Sequence, residues 1–192
     1  GQENPGCWQS FSMGQVQFIM LDCRYYRDRK EKSMLGDYQK KWLKKTLLNS
    51  DAVFKVIASS VPFSEGIKPG SKDPWDGYPE EREEIFNFIE DERIEGVLLI
   101  SADRHRIDLR KIKRPKGYDF YEFVSGRLTN RHVHPVVKTE GLLWGYNDTC
   151  GFCLLRFDTR KRTPQVLLEA YDSTGEILHQ HKILAKNLTF EN

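Results

Sequence analysis

The sequence predicts an α/β protein in which a largely parallel sheet gives way to antiparallel hairpins within one sandwich. Three observations carry that expectation. Strand-like and helix-like patterns alternate as strand, helix, strand, helix, strand across the first hundred residues, the order of parallel strands joined by right-handed crossovers. From Tyr118 onward the runs are strand-like, and Asp172-Ser173-Thr174-Gly175 supplies a hairpin turn between two of them. No break in composition separates the halves, so residues 1–192 read as one domain or a portion of one.

The first strand is Val16 to Leu21, launched from the turn Ser12-Met13-Gly14 and ending in the charged cluster Asp22-Cys23-Arg24-Tyr25-Tyr26-Arg27. Tyr38, Trp42, Leu43 and Leu47 then recur at helical spacing with lysines on the opposite face, which predicts an amphipathic helix over 37–50. Asp37 near its start complements the helix dipole. Val53 to Ala58 is rich in branched residues and reads as a strand that Pro62 closes. The stretch Ser64 to Tyr78 is a long loop of glycines, prolines and charges; loops of this length in compact domains are commonly functional. Pro79 followed by Glu80, Glu81, Glu83 and Glu84 starts a second helix, with Ile85, Phe86 and Ile89 as its buried stripe. A third strand, Gly96 to Ile100, follows. Tyr118 to Val124, Cys150 to Phe157, Gln165 to Tyr171 and Ile177 to Ile183 make up the part expected to be antiparallel.

Composition narrows the function. Thirty basic and 28 acidic side chains leave a net charge of +2, so no global field draws the chain to nucleic acid or anionic lipid, and any basic site is local. No run of about 18 apolar residues is present to form a membrane-spanning helix. Gly1 to Gly6 lacks a charged and an apolar region of signal-peptide type, and without an initiator Met the expectation is that further polypeptide precedes it. Cys7, Cys23, Cys150 and Cys153 are too few and scattered for a disulfide scaffold. The triplets at Asn147 and Asn187 are glycosylation sequons of a kind that arises often by chance.

The most informative segment is Ser101-Ala102-Asp103-Arg104-His105, where a buried strand hands the chain to a carboxylate, a guanidinium and an imidazole. Hard oxygen and imidazole nitrogen together suit a divalent or ferric ion; the competing reading is an Asp-His hydrogen bond at a strand end. Two ligands do not complete a site, so others must come from elsewhere. Arg24, Arg27 and Arg104 all lie at expected strand exits, where guanidinium forks can hold phosphate oxygens if they converge, while each alone reads as an ordinary surface arginine. Trp75 is a candidate to cover a substrate pocket with its indole, or else a loop anchor on the core. His132-Val133-His134 and His179-Gln180-His181 read as solvent-facing strand residues rather than zinc sites, having no Cys, Asp or Glu at ligand spacing. Cys150-Gly151-Phe152-Cys153 begins a strand instead of a helix, which argues against a redox motif.

Several separated segments together resemble one family. They are Pro5-Gly6-Cys7-Trp8 with Ser10, Phe11 and Gly14; Leu21 to Arg27; Met34-Leu35-Gly36 with Gln39 and Trp42-Leu43; Phe54-Lys55-Val56; Trp75 to Pro79 with Glu81-Arg82; and Ser101 to His105. In this order, across roughly the first 130 residues, they are similar to the PhoD-type alkaline phosphatases and phosphodiesterases of the calcineurin-like metallophosphoesterases. The resemblance implies a four-layer αββα sandwich, a polynuclear centre of iron, calcium or zinc at the sheet edges, and hydrolysis of phosphate esters. It makes Asp103 and His105 metal ligands, Arg104 a catalytic, phosphate-touching group, and Arg24 a residue near the site that binds substrate. Ala102 stands where the family usually has glycine, and alanine resists positive φ. The family's earlier metal-binding segments would precede Gly1, so the chain resembles the C-terminal half of such an enzyme. Its expected partners are then a phosphate ester and the N-terminal half of the same domain. The family favours a secreted, periplasmic or secretory-pathway setting. The alternative is a non-catalytic α/β binding module or inactive half-domain derived from such an enzyme.

Overall fold

A computed structural model describes residues 5–129 and 131–191. The opening segment, where no signal peptide was expected, lies largely outside them. The fold is mixed α/β. In chain order the strands are β1 (Gln9–Met13), β2 (Val16–Met20), β3 (Phe54–Ala58), β4 (Val97–Ser101), β5 (Ile107–Ile112), β6 (Phe120–Val124), β7 (Leu142–Tyr146), β8 (Gly151–Asp158), β9 (Gln165–Asp172) and β10 (Ile177–Leu184). Helices α1 (Gly36–Leu48) and α2 (Pro79–Asp91) are the two crossovers.

Seven strands form one sheet in the order β1-β2-β3-β4-β6-β5-β7, and β10-β9-β8 form a second. Strands β2, β3, β4 and β6 are mutually parallel, so their carboxyl ends share one sheet edge. Adjacent residues of β6 show the layering, because consecutive strand side chains point to opposite faces. Phe120 meets Phe86 of α2 with ring centroids 5.0 Å apart, while Tyr121 meets His181 of β10 at 5.5 Å. Phe157 of β8 packs on Phe54 of β3 at 5.3 Å, on the small-sheet side. The described residues therefore stack as helices, large sheet and small sheet.

The expected parallel core is present, and three features differ from expectation. The run at 118–124 contributes β6, which has the expected antiparallel partner in β5 on one side but pairs in parallel with β4 on the other. Strands β1, β5 and β7 escaped the pattern. All residues of β1 are exposed, and β5 alternates apolar with charged residues yet is buried from Ile107 to Arg110 because its charges pair with one another. Helix α1 buries Gln39, Leu43 and Leu47, whereas Tyr38 is 61% exposed. The buried stripe runs through Gln39 because its amide brackets the backbone of Asp22, accepting from Asp22 N at 2.8 Å and donating to Asp22 O at 2.8 Å. Helix α2 starts on Pro79 and buries Ile85, Phe86 and Ile89 as the periodicity requires.

Candidate metal and phosphate site at the sheet edge

The shared carboxyl edge gathers the exits of β2, β3 and β4. After β2, Asp22 folds the chain back: Oδ1 accepts from the N–H groups of Arg24 (2.9 Å) and Tyr25 (3.0 Å), and Oδ2 from Cys7 (2.9 Å). Desolvation raises the pKa of this carboxyl, but the three N–H donors outweigh it and hold the group below its usual range. The turn presents Arg24 and Arg27 to Asp73, in the long loop, at 2.7 and 2.6 Å. Hydrogen bonds from Arg24 lead the causes that keep the Asp73 carboxyl ionised to well below the usual carboxylate range. Lys68 joins this cluster to the β4 exit, with Nζ 3.7 Å from Asp73 Oδ2 and 3.1 Å from Asp103 Oδ2. Arg24 and Asp103 are thus brought together through Asp73 and Lys68, residues that no local pattern marked.

Past β4 the backbone turns sharply. Asp103 has φ 72° and His105 φ 49°, a left-handed conformation uncommon for non-glycine residues and often found at functional sites. Ala102 is not among the positive-φ residues, so alanine at the position usually held by glycine brings no backbone strain here; the strained position is one residue later. Asp103 and His105 are half-buried, and Arg104 between them is only 3% exposed. Arg104 Nε and Nη1 have no hydrogen-bond acceptor among the described residues. Burial, followed by repulsion from Arg106, lowers the Arg104 pKa from its ordinary value.

His105 faces a second set of neighbours. Its Nδ1 lies 3.1 Å from the carbonyl oxygen of His132, and its ring centroid is 5.8 Å from His132 and 5.4 Å from His134. The rings of His132 and His134 are 4.5 Å apart. These two histidines were expected to be solvent-facing strand residues; His132 is exposed and His134 half-buried, but they lie on an irregular segment instead of a strand, and long-range packing sets their rings against His105. The His134 imidazole is pushed down to about 4, first by desolvation and then by the Arg104 charge, with smaller contributions from His132, His105 and Lys68. An NMR titration of His134 should show a midpoint near 4. The unfolded chain, with an ordinary histidine pKa near 6.5, then binds more protons between those values, so this group's contribution to stability is present above about pH 6.5 and is lost as pH falls toward 4. A midpoint at the ordinary histidine value would contradict the half-buried setting beside Arg104.

Trp75 does not cover a pocket. It is fully buried, donates from Nε1 to Ser59 Oγ at 3.1 Å and stacks on Phe63 at 5.0 Å, so the candidate substrate-binding role is replaced by that of a core anchor for the long loop. Trp75→Ala should cost about 3 to 5 kcal/mol of stability in a urea melt, the range for large-to-small aromatic truncation. A loss under about 1 kcal/mol would return the indole to the surface. The other HxH pair is corrected too. His179 stacks on Trp144 at 4.7 Å and His181 meets the Tyr121 ring at a tilt, so both are half-buried against aromatic partners on the large sheet. All four cysteines are unpaired, and burial pushes the Cys153 thiol up to about 12, which leaves it without thiolate character at neutral pH.

Glu122 was hidden inside an apolar run. It is fully buried on β6 and accepts from Phe63 N (2.7 Å), Ser64 N (2.8 Å), Ser64 Oγ (2.5 Å) and Ser101 Oγ (2.6 Å), tying the loop after β3 to the end of β4. The turn carrying Asp103 to His105 begins from that fixed point.

The donor set fits a hard or borderline cation at Asp103 and His105. When His105 Nδ1 carries the proton and donates to the His132 carbonyl, it makes the outer contact usual for a ligating histidine. Among the described residues no group of three or more His, Cys, Asp or Glu side chains is arranged to hold an ion, so a metal on this pair needs further donors. Among the same residues, no helix is long and apolar enough to cross a membrane.

Comparison with known proteins bears on the fold and the family. Alkaline phosphatase D of Bacillus subtilis (strain 168) is 30% identical over 121 residues, which cover 51% of this chain and 21% of that protein. The solved structure of PhoD superposes with a TM-score of 0.58 at 22% identity, over 92% of this chain and 43% of that one. GAP50, the anchor in the inner membrane complex of Plasmodium, superposes with a TM-score of 0.56 at 15% identity, over 98% of this chain and 55% of that one. The two structural likenesses speak for the fold alone, and the chain spans about a fifth of the curated relative's length. The profile of the PhoD-like phosphatases matches residues 2–153, most of the sequence. The chain belongs to the PhoD-like phosphatase family.

Proposed function

We propose that this protein hydrolyses phosphate esters at the β4 exit with the help of metal ions, Asp103 and His105 supplying two ligands and upstream polypeptide the others. Iron, calcium and zinc are the candidate ions. The observation that carries the reading is the Asp103-Arg104-His105 turn, in which a half-buried carboxylate and imidazole flank a buried guanidinium with two donor nitrogens unpaired. Bound ions of this kind supply positive charge to the phosphoryl oxygens and make water a better nucleophile at neutral pH.

The side chains divide the remaining work. Arg104 offers a fork of donors that matches a pair of phosphate oxygens, and an unpaired, desolvated guanidinium gains more from such a partner than one already hydrated. Lys68 balances the charge of Asp103. Arg24 and Arg27 are engaged with Asp73, and Arg24 remains 47% exposed, so it can reach substrate at the rim.

The experiment uses the polypeptide extended upstream of Gly1. Metal analysis should find iron, calcium or zinc, and p-nitrophenyl phosphate or its bis ester should be cleaved. Material with neither property would favour the rival, an α/β module that keeps the architecture for binding. Arg104→Ala should raise KM or lower kcat, about 100-fold in kcat/KM, with metal content unchanged, because it acts on substrate and not on the ion. Unchanged kinetics would reduce Arg104 to a structural residue.

A further inference from the structure

The segment 131–139, which brings His132 and His134 to His105, has no strand or helix of its own and so no ladder to satisfy its carbonyl groups. Several of its partners come from a buried set of charges on β5, alongside Asn147 Nδ2, which donates to His134 O at 3.2 Å, and Arg127 Nη1, which donates to Arg131 O at 3.3 Å. Arg106, Asp108 and Arg110 are spaced by two and share one face of the extended chain, with side chains 0%, 0% and 1% exposed. Arg106 donates to Asp108 from Nε (3.0 and 3.1 Å) and Nη2 (2.9 Å), and Arg110 Nε donates to the same carboxylate at 3.1 Å. One carboxylate serves two guanidiniums, so each cation has donors to spare in a place where unpaired donors are costly.

Those spare donors meet the segment at alternate residues. Arg106 Nη1 reaches the carbonyl of Pro135 at 2.6 Å; Arg110 Nη2 reaches that of Val137 at 2.8 Å, and its Nη1 the hydroxyl of Thr139, also at 2.8 Å. Arg106 Nη2 also donates to Ile67 O at 3.3 Å, next to Lys68. Val136 lies so close over β7 that a Cβ on Gly145 would stand 2.6 Å from it, which fixes the height of the segment above the sheet.

We propose that Asp108, Arg106 and Arg110 are positioning residues, a buried fork that holds the 131–139 segment in register and thereby sets the rings of His132 and His134 against His105. The inference deepens the phosphoesterase reading and rests on it for what the rings serve, but the placement is tested without turnover. Charge neutrality alone would not require this arrangement: Asp108 could pair with one arginine, whereas two arginines aimed at alternate carbonyls specify where the segment lies.

The test uses Arg106→Lys, which keeps the charge but loses the fork, with Lys116→Ala at a surface ion pair as control. Nuclear Overhauser contacts between the imidazole of His105 and those of His132 and His134 are measured, together with carbethoxylation rates of each histidine by mass spectrometry. In folded Arg106→Lys the contacts should be lost and modification of the half-buried His134 should rise severalfold, with the control unchanged. Contacts and rates like wild type in that variant would overturn the proposal. Should Arg106→Lys lose its cooperative melt, Thr139→Val decides: it deletes one acceptor on the segment, should loosen the rings, and should be rescued by Thr139→Ser. Wild-type contacts in Thr139→Val would overturn the fork equally. Absence of phosphatase activity with ring placement responding as stated would remove the hydrolase reading and leave the fork in place.

Discussion

Asp103→Ala and His105→Ala are each expected to empty the metal site and lower phosphoesterase activity by more than about 100-fold, since removing a direct ligand exceeds the 10- to 100-fold cost of losing an outer contact. The two variants should differ in a second respect. Asp103→Ala also strips Lys68 of its 3.1 Å partner and leaves it with Asp73 alone at 3.7 Å, so it adds a local excess of positive charge. His105→Ala removes a ring from the imidazole group and leaves that ion pair intact. Metal content measured on purified extended polypeptide, alongside turnover of p-nitrophenyl phosphate, checks the expectation. Wild-type occupancy in both variants would sink the ligand assignment, whatever the activity.

Glu122→Ala is expected to destabilise the fold by about 3 to 5 kcal/mol. The buried carboxylate accepts four hydrogen bonds, and its loss leaves the N–H groups of Phe63 and Ser64 and the hydroxyls of Ser64 and Ser101 without that acceptor. Hydrogen bonds to charged acceptors are the stronger kind, and buried donors left unpaired carry their full desolvation cost. Glu122→Gln should recover only part, because its amide N–H group opposes donors where the second carboxylate oxygen accepted. Urea unfolding measures both. A loss below about 1 kcal/mol for Glu122→Ala would show that the loop after β3 does not depend on this contact.

The Glu122 case also shows why a good sequence reading misses residues. Inside Tyr118 to Val124 the Glu122 carboxylate looks like the solvent-facing member of a half-buried strand, yet α2 and the small sheet cover the two faces of β6, and pairing with β4 brings Ser101 to it. Asp108, Arg106 and Arg110 were invisible for the same reason: charged residues at alternate positions signal an exposed face unless they neutralise one another, and that depends on partners at 135–139. Trp75 was evenly balanced between lid and anchor because an aromatic in a long loop serves either; the Ser59 hydroxyl and the Phe63 ring settle it. By contrast, β2, β3, β4 and α2 were legible, each being an apolar run with no more than one polar residue or a clean helical stripe with its own start signal.

Local chemistry accounts for the parallel α/β core and for the Asp103-Arg104-His105 exit, since burial of β4 forces the first polar residues after it to the sheet edge. The resemblance to phosphoesterases was equally legible, because collinear motifs survive without knowledge of contacts. Folding alone chose the neighbours of that exit. Lys68 and Asp73 on one side and His132 and His134 on the other lie tens of residues from it, as do the 135–139 partners of the fork that follows it, and all meet only when long segments cross. Pairwise electrostatics and hydrogen bonding act over a few ångströms, so a linear pattern cannot report which distant groups fall within that range.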